Sequence, residues 1–405
     1  MDDTKFYKAG QTFTPSAPID NKNLFSGRRR QVNSAVAAIN QRGQHAIMYG
    51  ERGVGKTSLA NTLQEFLPDS ANIYTVRVNC YTATTFSGLW KEILKQIHLR
   101  LTTRGLGFAS QTAEQTVSLD YFLQNNGNEI TPNDIRFVLD QIPFPVILII
   151  DELDRIQSDA VIENLADTIK TLSDYSLNTT LILVGVADSV DELIKQHQSI
   201  GRALVQIHMP RMSREELFDV IDRGLKTLDM QMEGDIRARI VNISIGLPHY
   251  THLLALAAVQ NAIRNDRTTV THDDFEIAIK EALQNTQEST QDGYYKAVTS
   301  PRGKLYPTVL LACAMAKADP MGYFSPADVG RALKTLTGKE YEIARFGRHL
   351  KDFCEADRGQ VLVQKGFSRR HKYRFSNPLM QPFILMKGLS EGNITTDLLK
   401  ENSLL

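Results

Sequence analysis

Gly50-Glu51-Arg52-Gly53-Val54-Gly55-Lys56-Thr57-Ser58 decides how the rest of the chain is read. It has the form G-x-x-x-x-G-K-T, the pattern of a phosphate-binding loop. Gly50, Gly53 and Gly55 let the backbone turn tightly and approach a ligand closely. A helix beginning near Lys56 would point its free N–H groups at the same place, which favours an anion there. Lys56 adds a positive charge for the β- and γ-phosphates, and the Thr57 hydroxyl can hold Mg²⁺. The bland alternative is a glycine-rich turn. The flanks argue against it, because Gln44 to Tyr49 reads as a strand entering the loop and Ser58 to Leu63 as a helix leaving it.

Working outward, Pro145-Val146-Ile147-Leu148-Ile149-Ile150-Asp151-Glu152 reads as a buried parallel strand ending in two acids. Ligands of open α/β sheets sit at that end of the strands. Asp151 is placed to hold Mg²⁺, largely through water, and Glu152 to orient and polarise an attacking water. A solvated strand end is the alternative. Leu181 to Ala187 is another buried strand, closed by Asp188 and Ser189. Asp188 is read as a polar sensor reaching the γ-phosphate region, with helix capping as the competing role. Ala203 to His208 is the last strand, preceded by Ser199-Ile200-Gly201-Arg202. Asn72 to Asn79 supplies one more strand. Thr85 to Leu101 is expected to be helical, with Leu89, Ile93, Ile97 and Leu101 on one face. Residues 102–133 carry a weak pattern, part loop and part helix.

The 405 residues imply several domains, and 42% apolar content can fill sizeable cores. No run approaches the ~20 apolar residues of a membrane span. The N-terminus has no signal-peptide layout, and Cys80, Cys313 and Cys354 are too scattered for a disulfide framework or a zinc site. The expectation is a soluble cytoplasmic protein. Residues 1–22, polar and containing Pro15 and Pro18, are read as an extended arm, 23–210 as a phosphate-loop core, 211–290 as a helical lid, 295–390 as a separate C-terminal domain and 391–405 as a tail. In the lid, Ser213 to Glu216 is a capping box and Gly246-Leu247-Pro248-His249 starts a new helix. Gln284 to Gly293 looks like a linker.

The formal net charge is zero but unevenly spread. Residues 295–405 hold 10 Lys and 8 Arg against 5 Asp and 5 Glu, so this third carries +8 and residues 1–294 carry −8. A basic segment behind an acidic body points to a polyanion partner. Tyr306 to Ala318, Ser325 to Thr335 and Tyr341 to Glu355 read as three helices, and Gln360 to Gln364 and Lys372 to Phe375 as strands of a hairpin. That is the order of a winged helix. Arg345, Arg348 and Lys351 fall at helical spacing on the third helix, and Arg369 and Arg370 at the hairpin tip. Such residues would serve phosphates and base edges of duplex DNA; a protein-contact winged helix is the alternative.

With these motifs in place the chain resembles the AAA+ superfamily of P-loop ATPases. It is most similar to the clade around the archaeal origin-recognition initiators and the signal-transduction ATPases with numerous domains (STAND). Leu24-Phe25-Ser26-Gly27-Arg28 looks like the box that contacts adenine in that family. Arg202 looks like the arginine-finger region, and Gly246-Leu247-Pro248 sits at the second-sensor position, where His249 stands in place of the initiators' arginine. The resemblance implies an α/β core with a parallel sheet ordered 5-1-4-3-2, a helical lid and a winged helix. It implies hydrolysis of ATP with Mg²⁺, working as a switch between ATP and ADP states, and assembly with further copies or with an effector protein. The switch would be coupled to DNA, or in the STAND-like alternative to signalling or defence.

Overall fold

The computed structural model describes residues 2–18, 27–68, 72–104, 112–123, 129–194, 200–299, 305–366 and 370–401. The chain forms two compact units. An α/β unit comprises Arg28–Gly50 and Lys56–Met209; a helical unit comprises Met1–Gly27, Glu51–Gly55 and Pro210–Leu405.

The α/β unit is built on five parallel strands: β1 (His45–Gly50), β2 (Tyr74–Asn79), β3 (Val146–Asp151), β4 (Thr179–Val186) and β5 (Leu204–His208). Their order is β2-β3-β4-β1-β5, the 5-1-4-3-2 arrangement read from the other edge. All six residues of β3 are buried, as a strand covered on both faces requires. Helix Phe86–Lys95 starts at Thr85, whose hydroxyl accepts the Gly88 N–H. It brings Trp90, Leu89 and Ile93 into the core with Leu148, Leu165 and Ile169. Burying each such side chain is worth roughly 1.5–3 kcal/mol.

That helix stops at Lys95 instead of running to Leu101. His98–Arg104 pairs with Thr112–Ser118 as an antiparallel hairpin. The reason lies in the local pattern: His98-Leu99-Arg100-Leu101-Thr102 alternates polar and apolar residues, a two-residue period that a strand satisfies and a helix does not.

In the helical unit the N-terminal segment is a helix, Asp3–Thr12, capped by Asp2, and not the extended arm expected. Pro15 and Pro18 disfavour helix only from about residue 14 onward. Phe13 is fully buried, and Gly224 makes room for it, since a Cβ there would lie 2.2 Å from Phe13 Cζ. The lid helices Arg214–Leu228, Ile236–Ser244, Pro248–Arg264 and His272–Gln284 follow, with capping boxes at Ser213/Glu216 and Thr271/Asp274.

The expected linker at 284–293 is also helical: one helix ends at Gln284 and Glu288–Val298 begins another. Its inward face carries Thr290, Gly293, Tyr294 and Ala297, three of them too small or polar to mark a core face in the sequence. The C-terminal segment holds helices Tyr306–Met315, Pro326–Thr337 and Ile343–Asp352, then an antiparallel pair, β6 (Leu362–Lys365) and β7 (Lys372–Phe375), with Phe324 bridging to Tyr373. Helix Met380–Ser390 closes it. Lid and C-terminal segment share one continuous hydrophobic core instead of forming separate units.

Candidate functional site

In the α/β unit the chain leaves β1 at Gly50, with φ 151°; a Cβ there would stand 2.3 Å from the Met209 carbonyl, so only glycine fits. Helix Lys56–Thr62 follows the loop. Lys56 is buried, not solvent-facing as expected of a phosphate-site lysine, and its Nζ donates to the Gly50 carbonyl at 3.0 Å. Thr57 Oγ1 donates to Asp151 Oδ2 at 2.9 Å, so the start of the loop helix and the end of β3 are joined at the two residues chosen to hold Mg²⁺.

Asp151 is 3% exposed, and a carboxylate this buried needs partners. It has three: Thr57, the Glu152 N–H on Oδ1 at 2.8 Å, and Arg77 Nη2 on Oδ2 at 2.8 Å. Arg77 was not singled out in the sequence, although a charged residue inside Val76-Arg77-Val78 was the available signal. The negative field here is felt by Cys80, whose thiol is pushed up to about 12, first by burial and then by the Asp151 and Glu152 charges.

Glu152 has a left-handed backbone (φ 57°) and an exposed carboxylate, which accepts from Arg155 Nη1 at 2.9 Å. Asp154, also missed, accepts the Val186 N–H at 2.7 Å and so ties the turn after β3 to the end of β4. Asp188 is half-buried, and its N–H donates to Glu192 Oε2 at 2.8 Å. Arg202 is exposed beside the edge strand β5, its carbonyl accepting from Gln44 Nε2 at 3.0 Å. Arg28 is buried with φ 60° at the N-cap of helix Arg29–Asn40. Leu24 to Ser26 and Ser199 lie outside the described residues.

In the helical unit the loop tip meets Leu247 and Pro248, the segment expected at the second-sensor position. A Cβ on Gly53 would lie 3.9 Å from Leu247 and 3.2 Å from Leu379, and one on Gly55 would lie 3.9 Å from Pro248. Val54 is buried and Arg52 exposed. Glu51 forms a largely buried ion pair with Arg211, 2.7 Å from Oε2 to Nε. Arg211 Nη1 also donates to Gln381 Oε1 at 2.8 Å, and Gln381 Nε2 donates to the Ala314 carbonyl at 2.9 Å. This chain from the loop tip to the C-terminal helices has no motif signature. His249 Nδ1 donates to the Pro15 carbonyl at 2.8 Å, so that nitrogen is committed to the N-terminal segment. Burial, aided by the Arg52 charge, lowers its pKa and keeps it neutral.

On helix Ile343–Asp352, Phe346 and Leu350 face the core while Arg345, Arg348 and Lys351 are exposed, Arg348 at 88% of its side chain. Arg370 is exposed after the β6–β7 turn; Arg369 lies outside the described residues.

The donor set suits Mg²⁺. Thr57 and Asp151 offer hard oxygens, and no three His, Cys, Asp or Glu side chains cluster as a cage among the described residues. A cation that keeps several waters and takes its other ligands from nucleotide phosphates needs no more. The guanidinium already resting on Asp151 Oδ2 shows that the position accommodates positive charge.

Comparison with known proteins agrees with this framework. Residues 39–194 match the family described as AAA domain. No curated protein matches the chain. Among solved structures, a Walker-type ATPase of Pyrococcus abyssi superimposes with a TM-score of 0.54 at 15% identity, covering 91% of this chain and 99% of its own. The Aeropyrum pernix ORC2 protein, solved as ADPNP–ADP complexes, gives a TM-score of 0.53 at 13% identity, covering 96% and 98%. Residues 39–194 therefore carry an AAA domain, and the chain has the fold of the AAA+ P-loop ATPases, similar in fold to these two proteins. No helix among the described residues is long and apolar enough to cross a membrane.

Proposed function

We propose that this protein binds and hydrolyses ATP as a molecular switch coupled to duplex DNA. The observation that carries the nucleotide reading is the Thr57–Asp151 hydrogen bond, which joins the phosphate-loop helix to the acidic end of β3. In this reading the amides from Gly50 to Ser58 and the Lys56 ammonium bind the phosphates. Thr57 and Asp151 would hold Mg²⁺, which when bound neutralises charge on the β- and γ-phosphates. Glu152 orients the attacking water, which requires its carboxylate to leave Arg155. Asp188 lies at the end of β4, where a side chain can sense the γ-phosphate, and Arg28 serves the adenine side. Arg202, which is exposed by the edge strand, would serve a neighbouring protomer in a homo-oligomer, as arginine fingers given in trans do.

The DNA half of the proposal rests on the exposed row Arg345, Arg348 and Lys351, with Arg370, in a segment of charge +8. Each phosphate neutralised adds about 0.9 to the salt slope of duplex binding. Replacing all four with Glu should weaken binding steeply and flatten the slope by about three to four, with basal ATP hydrolysis retained. Fluorescence anisotropy with duplex DNA at several salt concentrations measures this. A wild type with no salt-dependent binding, with or without ATP, would sink the DNA half.

A second reading, a STAND-like signalling or defence switch working through an effector protein, is favoured by one observation. The loop tip is tied through Glu51, Arg211 and Gln381 to the C-terminal helices of the same unit. Absent DNA binding together with nucleotide-dependent self-association would favour it.

A further inference from the structure

Resting on the nucleotide reading above, we propose that Arg77 is a positioning residue that competes with the divalent cation for Asp151. Metal entry then exchanges a built-in positive charge for an external one.

Arg77 lies in β2, between Val76 and Val78, which point into the core. Strand alternation turns Arg77 to the opposite face. There its Nη1 donates to Asn61 Oδ1 on the loop helix at 2.7 Å and its Nη2 to Asp151 Oδ2 at 2.8 Å. A carboxylate oxygen has about two acceptor positions. Those of Oδ2 are taken by Thr57 Oγ1 and Arg77, and Oδ1 already accepts the Glu152 N–H.

If Asp151 holds Mg²⁺ largely through water, as proposed above, those waters would need acceptor positions on this same carboxylate. Thr57 does not stand in the way, since a hydroxyl that donates its proton keeps its lone pairs for a metal. Oδ1 keeps one acceptor position, but for a donor to reach Oδ2 the bond that has to yield is the one from Arg77. Its side chain is 31% exposed against 4% for Asp151, so the guanidinium has a route to solvent and the carboxylate does not.

Two effects act in the same direction. The guanidinium repels a doubly charged cation beside it, and without metal it supplies part of the positive charge that phosphates need. The wild-type site therefore binds nucleotide with a shallow dependence on Mg²⁺. Removing the charge should weaken metal-free binding and steepen the gain on adding metal. Couplings between two ligands of one site run to about 5–150-fold, and we expect about tenfold here.

The test is the Kd of N-methylanthraniloyl-ADP, read by fluorescence, in EDTA and in excess MgCl₂, for the full chain and for Arg77→Met and Arg77→Lys. The ratio of the two Kd values should rise about tenfold in Arg77→Met and stay close to wild type in Arg77→Lys. A purely structural role would weaken both conditions alike and leave the ratio unmoved. An unmoved or smaller ratio in a wild type that binds nucleotide overturns the Arg77 assignment alone. A wild type that binds in neither condition overturns the nucleotide reading and the assignment with it. Arg77→Gln keeps an N–H donor for Asp151 without the charge, and it carries the same test if Arg77→Met does not fold.

Discussion

Arg211→Ala is the most direct probe of how the phosphate-loop tip is held. Arg211 and Glu51 side chains are 13% and 7% exposed, and the guanidinium makes contacts of 2.7 and 3.4 Å to the two Glu51 oxygens. Truncation leaves a buried carboxylate without its cation, which costs about 3–5 kcal/mol when one partner of a buried pair is removed. It also takes the donor from Gln381 Oε1, a buried acceptor whose loss of partner is worth about 1–3 kcal/mol. Residual water access to Arg211 argues for the lower end, so the net loss should be about 3 kcal/mol. For a unit of some 200 residues that lowers Tm by about 6–12 °C.

Adding Glu51→Gln to Arg211→Ala removes the buried charge that Arg211 balanced and should restore about half of the loss. The assay is nucleotide-free thermal and urea denaturation followed by circular dichroism, run as a double-mutant cycle. A loss below about 1 kcal/mol in Arg211→Ala, or strict additivity in the double mutant, would refute the claim that this pair holds the loop tip.

The remaining predictions concern catalysis and pH. Lys56→Ala should lose nucleotide binding in fluorescence titrations, while its stability falls by at least what the bond to the Gly50 carbonyl contributes, about 1 kcal/mol by urea denaturation. Glu152→Gln should keep nucleotide binding but stop phosphate release, because the amide preserves size and loses the charge that polarises water; wild-type turnover would remove Glu152 from the mechanism. His45 and His252 are each pushed down to about 4 by burial, against roughly 6.5 when unfolded. Below about pH 6.5 the unfolded chain takes up protons that the folded chain refuses, so their stabilising contribution is present above that pH and is lost as pH falls toward 4. Between pH 6.5 and 5 each histidine should cost about 2 kcal/mol by urea denaturation. His45→Gln should reduce the slope by about one proton; an unchanged slope would show that His45 is not the titrating group.

What the sequence revealed depends on how far apart the interacting residues lie. The phosphate loop and β3 are legible because each is a continuous run: the loop glycines must fall within one short stretch of chain, and a strand covered on both faces must be apolar throughout. The strand order came from family resemblance, since nothing local in β1 says that β4 and β5 flank it. Short-range patterns misled where two periods overlap. Leu89, Ile93, Ile97 and Leu101 continue a helical spacing beyond Lys95, while residues 98–104 obey the strand period, and pairing with Thr112–Ser118 decided the competition. The N-terminal helix and the helix at Glu288–Val298 were hidden by prolines outside the one and by small or polar inward residues in the other.

The site divides in the same way. Thr57 and Asp151, 94 residues apart, were paired by motif, because both motifs answer to one phosphate chemistry. Arg77 lies 74 residues from Asp151, and Arg211 lies 160 from Glu51 and 170 from Gln381, with no shared motif to connect them. These are the contacts that balance buried charge. A buried carboxylate demands a cation, but many arginines could supply it, and only the folded backbone decides which one arrives. The motif residues therefore name the expected reaction, while the arginines around them are the ones to mutate to learn how this chain regulates it.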